Sequence, residues 1–303
     1  MHALIIGYGS IGARHARLLA SMGHEVACVT RNRECPFPAF PNIRAALEET
    51  TPWLAVISTA TAEHAAGLKA LLKAGFTGRI LVEKPLFEKV REIAPAPNDN
   101  VFVAYNLRFH PMVARTRELL AGHNILNARF AVGQYLPDWR PGQDYTKSYS
   151  ASRAKGGGVL RDLSHELDLA RFLLGDWKRA TAMGGHYSDL AIDSDDQFAV
   201  LMETERCPVV GVHMDYLSRS THRGYDITCA DMTLRADFMA GMLTVNGTME
   251  EFPVERDATY RRQLEAMAMG DPTPCTYAQG LALVGLIETL EQCAEQQIWE
   301  SAS

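Results

Sequence analysis

The run Gly7-Tyr8-Gly9-Ser10-Ile11-Gly12 has the spacing G-x-G-x-x-G. It follows an apolar run, residues 3–6, and opens a segment, residues 11–22, whose apolar side chains recur at helical spacing. In that setting each glycine has a separate task. Gly7 permits the tight turn, Gly9 lets backbone approach a pyrophosphate, and Gly12 allows the helix to pack closely on the strand. The N–H groups at the helix start, together with the positive end of its dipole, suit phosphate. The chemistry expected of Gly7, Tyr8, Gly9, Ser10, Ile11 and Gly12 is therefore dinucleotide binding. The plainer alternative is a tight turn that holds nothing.

The end of the next strand, residues 25–29, discriminates between cofactors. An acidic residue there would bond the adenosine ribose hydroxyls of NAD. This chain has Val29-Thr30-Arg31-Asn32-Arg33 and no carboxylate until Glu34. Thr30, Arg31 and Arg33 suit a 2′-phosphate, because guanidinium groups meet phosphate bidentately. NADP(H) is expected ahead of NAD(H), which stays open. No metal is expected: His165-Glu166-Leu167-Asp168 is not H-E-x-x-H and has no third ligand nearby. Cys28, Cys35, Cys207, Cys229, Cys275 and Cys293 form no C-x-x-C pair and read as reduced thiols of a cytosolic protein.

The elements that must position these residues are legible in outline. A length of 303 residues suggests about two domains, and an apolar fraction of 47% is ample for a core. The 30 basic and 36 acidic residues give a net charge of −6, which argues against a nucleic-acid surface. The run before the glycine turn is too short for a signal peptide. No window approaches the roughly 18 uninterrupted apolar residues of a membrane span, so a cytoplasmic protein is expected. Strand-like runs at residues 3–6, 25–29, 54–58, 80–82 and 101–104 alternate with helical segments at 11–22, 43–49 and 63–74. That alternation predicts a parallel sheet with helices on both faces.

After about residue 110 the pattern changes. A helix is expected over 111–120, a long strand over 126–136 and an amphipathic helix over 160–174. Successive antiparallel strands follow at 179–187, 197–203, 209–217, 225–229 and 232–237, and a last helix at 277–295. The fold class expected is α/β. Residues 1–109 form a doubly wound parallel sheet of Rossmann type, and residues 110–303 an α+β domain on an open, largely antiparallel sheet. Between strand and helix, residues 137–155 are polar, aromatic and turn-rich. Trp139, Arg140, Tyr149 and Arg153 lie there and suit a carbohydrate, whose faces stack while its hydroxyls hydrogen-bond. Arg108, Arg140, Arg153 and Lys155 suit a carboxylate or phosphate.

The glycine turn, Ser58-Thr59 followed by Glu63-His64, Glu83-Lys84-Pro85, Tyr105-Asn106-Leu107-Arg108-Phe109 and Gly156-Gly157-Gly158-Val159-Leu160-Arg161-Asp162 occur in that order along the chain. In this order they resemble the Gfo/Idh/MocA oxidoreductases. The loop and the following helix are similar to the subgroup associated with bacterial sialic- or legionaminic-type sugar biosynthesis. The resemblance implies that Lys84 is the active-site lysine, and that Ser58, Thr59, His64, Glu83 and Lys84 lie on the cofactor side. An ammonium there would polarise a carbonyl and stabilise the alkoxide. Asp162 and His165 resemble the family's acid–base pair, three apart on one expected helix where many members have four, with Glu166 at the fourth position. His is suited to shuttling a hydroxyl proton near neutral pH. Asp168 is expected to pair with Arg171 at helical spacing. His15 and His64 read as structural, satisfying backbone or loop groups beside the nucleotide site.

The activity implied is hydride transfer between NADP(H) or NAD(H) and a hydroxyl or ketone of a sugar or sugar derivative. The same resemblance extends to NAD-dependent glycoside hydrolysis with a tightly held cofactor. A non-catalytic dinucleotide-binding regulator is the third reading, and the presence of Lys84, Asp162 and His165 counts against it. A homo-oligomer, dimer or tetramer, through the C-terminal sheet is also implied.

Overall fold

The computed structural model describes residues 1–94 and 99–302. The chain forms two units. One comprises Met1–Asn106 and Asp257–Val284; the other comprises Leu107–Arg256 and Gly285–Ser303.

The first unit is built on a seven-stranded sheet. Its central strand, His2–Ile6, lies between Pro52–Ile57 and Glu25–Val29, and both pairings are parallel. Ala39–Phe40 lies beyond Glu25–Val29; Arg79–Val82 and Val101–Val103 lie beyond Pro52–Ile57. Leu4, Ile5, Leu54, Val56 and Leu81 are wholly buried, because helices cover both faces of a sheet of this kind. From the central strand the chain runs outward through Glu25–Val29 to Ala39–Phe40, then crosses back to Pro52–Ile57 on the other side. That order is the doubly wound one, and it opens a crevice beyond Ile6, where ligands of such sheets bind.

The sequence pattern suggests one break at residue 109 and no element between residues 237 and 277. Instead the chain returns to the first unit. The helix Ala258–Met269 adds Leu264 and Met267 to the core beneath the glycine helix, Ser10–Ser21. Cys275–Thr276 then pairs antiparallel with Val101–Val103 at the sheet edge. A buried hydrogen bond from Asn106 Nδ2 to Thr259 Oγ1, 2.7 Å, ties the returning segment down. This contact spans 153 residues of sequence, so no local pattern announces it.

The second unit is built on nine strands, with Ile125–Gly133 at the centre between His222–Cys229 and Val210–Asp215. All pairings but that of Val210–Asp215 with Ile125–Gly133 are antiparallel. Residues alternate between buried and open faces, as in Gln197–Thr204, where Phe198, Val200 and Met202 are buried. The hairpin Met242–Val245 and Thr248–Glu251 turns on Asn246-Gly247, both at positive φ, the conformation this dipeptide favours. The expected helix over 160–174 is broken. Val159–Asp162 and His165–Leu174 are separate, and Ser164 Oγ donates to Arg161 O at 3.0 Å across the break. A serine that bonds back to a helical carbonyl competes with the ladder there. Among the described residues, no helix is long and apolar enough to cross a membrane.

Asn106→Ala should cost about 1–3 kcal/mol of stability, because it strands a buried Thr259 hydroxyl. Urea unfolding of the single and double variants with Thr259→Val checks this. The two costs should fall short of additive; full additivity would mean that the bond contributes nothing.

Candidate active site

In the first unit the glycine turn joins the central strand to the glycine helix. A Cβ on Gly12 would overlap the Gly7 carbonyl oxygen and lie 2.6 Å from Ser58 Oγ, so helix and turn meet in a space only glycine fits. A Cβ on Gly9 would meet nothing within 4 Å. Gly9 is extended, its helix has neither a side-chain cap nor an acidic residue in the first turn, and the first helical bond is Ala13 N–H to Gly9 O, 2.9 Å. The N–H groups at the helix start thus face open space beside Gly9, which fits a pyrophosphate.

Ser58 Oγ donates to Gly7 O at 2.8 Å, bracing the turn from the neighbouring strand. Beyond the second strand, Thr30 Oγ1 accepts from Asn32 N–H, and Asn32 Nδ2 reaches Tyr8 O at 3.3 Å, joining that loop to the turn. Arg31 and Arg33 are exposed there and form no ion pair among the described residues.

Glu83 and Lys84 end the strand Arg79–Val82 on the same side. His15 Nε2 donates to Glu83 Oε1 at 2.8 Å, and the other carboxylate oxygen accepts from the Lys84 backbone N–H at 3.2 Å. Burial alone would push the Glu83 carboxyl up. The hydrogen bond and charge of His15, with the Lys84 ammonium, overcome that and hold it below the usual range. His64 Nδ1 faces the carbonyls of Pro85 and Leu86 at 3.1 and 3.2 Å, and its Nε2 faces Thr59 O at 3.2 Å. Burial lowers its pKa. Both histidines thus bond groups that flank half-buried Lys84.

In the second unit Asp162 closes one short helix and His165 opens the next, so helical spacing is not what presents them. Both are buried. Tyr216 O–H donates to Asp162 Oδ2 at 2.6 Å. Tyr216 follows the strand Val210–Asp215, and in sequence it reads as one more core aromatic; nothing local marks it. Glu166, four positions after Asp162, is 1% exposed and pairs with Arg223 Nε at 2.8 Å. That carboxylate is committed to the sheet.

Two readings of charge are corrected. Asp168 does not pair with Arg171; it takes both Nε and Nη2 of Arg108, at 2.9 and 2.6 Å. Arg171 pairs with Asp176 instead. Arg108 is buried, and its guanidinium also lies 4.8 Å from the centre of the Phe172 ring. Arg153 is exposed and uses its backbone N–H on Asp193 Oδ1, 2.7 Å. Trp139, Arg140 and Tyr149 do come together, in the wall of a cavity of ≈ 510 Å³ formed by residues 136–150. No group of His, Cys, Asp and Glu among the described residues could hold a metal ion.

Residues 1–96 match the model of the oxidoreductase family with an NAD-binding Rossmann fold, and residues 113–235 match the Gfo/Idh/MocA C-terminal domain. A search of the curated proteins by sequence finds no match. Among solved structures, GenD2 from gentamicin A biosynthesis, in complex with NAD, superposes with a TM-score of 0.83 at 22% identity, covering 100% of this chain and 96% of that one. Levoglucosan dehydrogenase in complex with NADH gives 0.84 at 19%, covering 100% and 99%. An oxidoreductase from Agrobacterium radiobacter with NAD+, L-tartaric acid and magnesium gives 0.81 at 18%, covering 99% and 98%.

Gly9→Ala should leave the melting temperature unchanged and weaken dinucleotide binding at least tenfold, whereas Gly12→Ala should lower the melting temperature itself. Calorimetry and equilibrium dialysis read the two effects; equal losses of stability would contradict the geometry. A second expectation concerns Asp195, whose carboxylate oxygen caps Leu160 N–H at 3.1 Å and whose burial pushes its pKa up to about 6. A carboxyl raised in the folded state is penalised only once ionised, so the cost grows from about pH 4 to about pH 6 and is full above that, at about 3 kcal/mol. Asp195→Asn should therefore gain stability relative to the parent as pH rises through that window. A difference in melting temperature that does not vary between pH 4 and pH 7.5 would refute it.

Proposed function

The chain belongs to the Gfo/Idh/MocA oxidoreductase family, and from that premise we propose that it is a nicotinamide-dependent dehydrogenase or reductase acting on a hydroxyl or ketone of a sugar or sugar derivative. The observation that carries the reading is the open space at Gly9, in front of a helix start left without a side-chain cap. The bound nicotinamide supplies the acceptor or donor of hydride. Gly7, Tyr8, Gly9, Ser10, Ile11 and Gly12 would hold its pyrophosphate through backbone N–H groups, with Ser58, Thr59, His64 and Glu83 shaping the neighbouring wall. Thr30, Arg31 and Arg33 would meet the adenosine end, where the absence of a carboxylate supports NADP(H) ahead of NAD(H). The similar structures that carry NAD or NADH keep NAD(H) as the alternative.

Lys84 would hold the reacting oxygen of the substrate and stabilise negative charge on it. His165 would take or give a hydroxyl proton of the substrate, and Asp162 would accept a substrate hydroxyl or orient it. Trp139, Arg140 and Tyr149 would receive the sugar. The sugar-related neighbours GenD2 and levoglucosan dehydrogenase support this class of substrate. A homo-oligomer through the open sheet face fits the exposure of Met183 and Leu201, 77% and 42%.

Reduced-nicotinamide absorbance across a sugar panel tests the activity, and net change in that band separates it from hydrolysis through transient oxidation. Lys84→Ala should lower kcat by about 10²–10³ and His165→Ala by about 10², with dinucleotide affinity kept within a few-fold. Unchanged turnover in both variants, with the cofactor still bound, would sink the mechanism. Replacing Arg31 and Arg33 together by Ala should weaken NADPH at least tenfold and spare NADH; an equal effect on the two would remove the case for NADP(H).

A further inference from the structure

We propose that the cavity walled by residues 136–150 selects a sugar that carries a carboxylate, and that Arg140 grips that group. The inference rests on the reading of this cavity as the place that receives the sugar. Its wall holds the charged side chains Arg140, Asp144 and Lys147, and two of them answer each other. Asp144 Oδ2 lies 3.2 Å from Lys147 Nζ, while Asp144 Oδ1 accepts from the Thr146 hydroxyl at 2.6 Å and from its backbone N–H at 3.1 Å. Those bonds, from Thr146 first and then Lys147, hold the Asp144 carboxyl below its usual range, so it stays ionised beside the lysine. Arg140 forms no ion pair and no side-chain hydrogen bond among the described residues. The charge left uncompensated in the wall is therefore positive, and it sits on a guanidinium.

A guanidinium presents parallel N–H groups that match the oxygens of a carboxylate. One such cation balances one carboxylate. A phosphate monoester brings a charge of about −1.5 to −2 near pH 7 and would leave part of it unmatched. The rest of the wall suits the body of a sugar, because the rings of Trp139, Tyr145 and Tyr149 share it with Arg140. Trp139 is fixed through its indole N–H, which donates to Gln134 O at 3.2 Å. Tyr145 is fixed through its hydroxyl, which accepts from the Ala191 N–H at 3.3 Å. Rings held in advance lose little freedom when a sugar stacks on them. Arg140 itself is exposed, so water competes for its charge and salt screens it. Its part is to discriminate an acid from its neutral match, by about tenfold, the effect of one hydrogen-bonded charge.

The test gives the full chain NADP+ or NAD+ with D-glucuronate, D-galacturonate and D-mannuronate, the matching neutral hexoses, and D-glucose 6-phosphate. A hexuronate should exceed its neutral match in kcat/KM by about tenfold, through KM. Arg140→Gln should bring the two close together, Arg140→Lys should restore part of the difference, and added sodium chloride should shrink it in the wild type. Equal kcat/KM for acid and neutral sugar, a preference that Arg140→Gln does not move, or a preference for the phosphate would overturn the proposal. Equilibrium dialysis of ¹⁴C-labelled hexuronates reads binding without turnover. Arg140→Gln should bind the preferred acid about tenfold more weakly; equal binding would again overturn it. If no sugar is turned over while a hexuronate still binds through Arg140, the proposed activity has failed and this inference stands. Turnover of neutral sugars alone would be the reverse result.

Discussion

One buried carboxylate, Glu83, connects the parts of the first unit that a dinucleotide site needs. One of its oxygens takes the hydrogen bond from His15 on the glycine helix, and the other takes the backbone N–H of Lys84. An ionised group at 8% exposure is costly unless paired, and here both oxygens have donors. The contact crosses 68 residues of sequence and locks the strand that ends at Lys84 to the helix that begins at the glycine turn. Gly12 depends on the same closeness from the other side, since a methyl group there would push the helix off its strand. Placement of the lysine and shape of the turn are in this sense one constraint.

The second unit obeys a similar rule with different members. Its buried charges are matched inside the protein: Arg108 with Asp168, Glu166 with Arg223, and Arg161 with Glu291. Pairs of this kind are weak evidence for stability but strong evidence about availability, because breaking one leaves an uncompensated charge. They hold Arg108 and Glu166 in fixed places within the unit. The cavity wall in this unit combines the aromatic Trp139, Tyr145 and Tyr149 with charged Arg140, Asp144 and Lys147.

How far the sequence could be read follows from the range of each constraint. The glycine turn was legible because its geometry is set within six residues. The parallel sheet of the first unit followed from strands alternating with helices along the chain. The return of residues 257–284 to that unit was not legible, since it depends on Asn106 meeting Thr259 and on a two-residue strand at a sheet edge. The break at Ser164 was missed because the apolar spacing runs through it, while the hydroxyl that bonds Arg161 O carries no periodic signal. Asp168 pointed by spacing to Arg171, yet a bidentate partner 60 residues away won. Lys84 depended on the family pattern: a lysine before a proline says nothing by itself, and only its place after Glu83, beside a dinucleotide turn, gives it a task.

The central claim is that these residues move a hydride between a nicotinamide and a carbohydrate carbon. The most direct measurement incubates the protein with NADPH or NADH deuterated at C4, on either face of the ring, and with a panel of keto-sugars, followed by mass spectrometry of the sugars. The account predicts a sugar alcohol that carries deuterium on the former carbonyl carbon. A protein that binds the cofactor tightly yet passes deuterium to no sugar would contradict it.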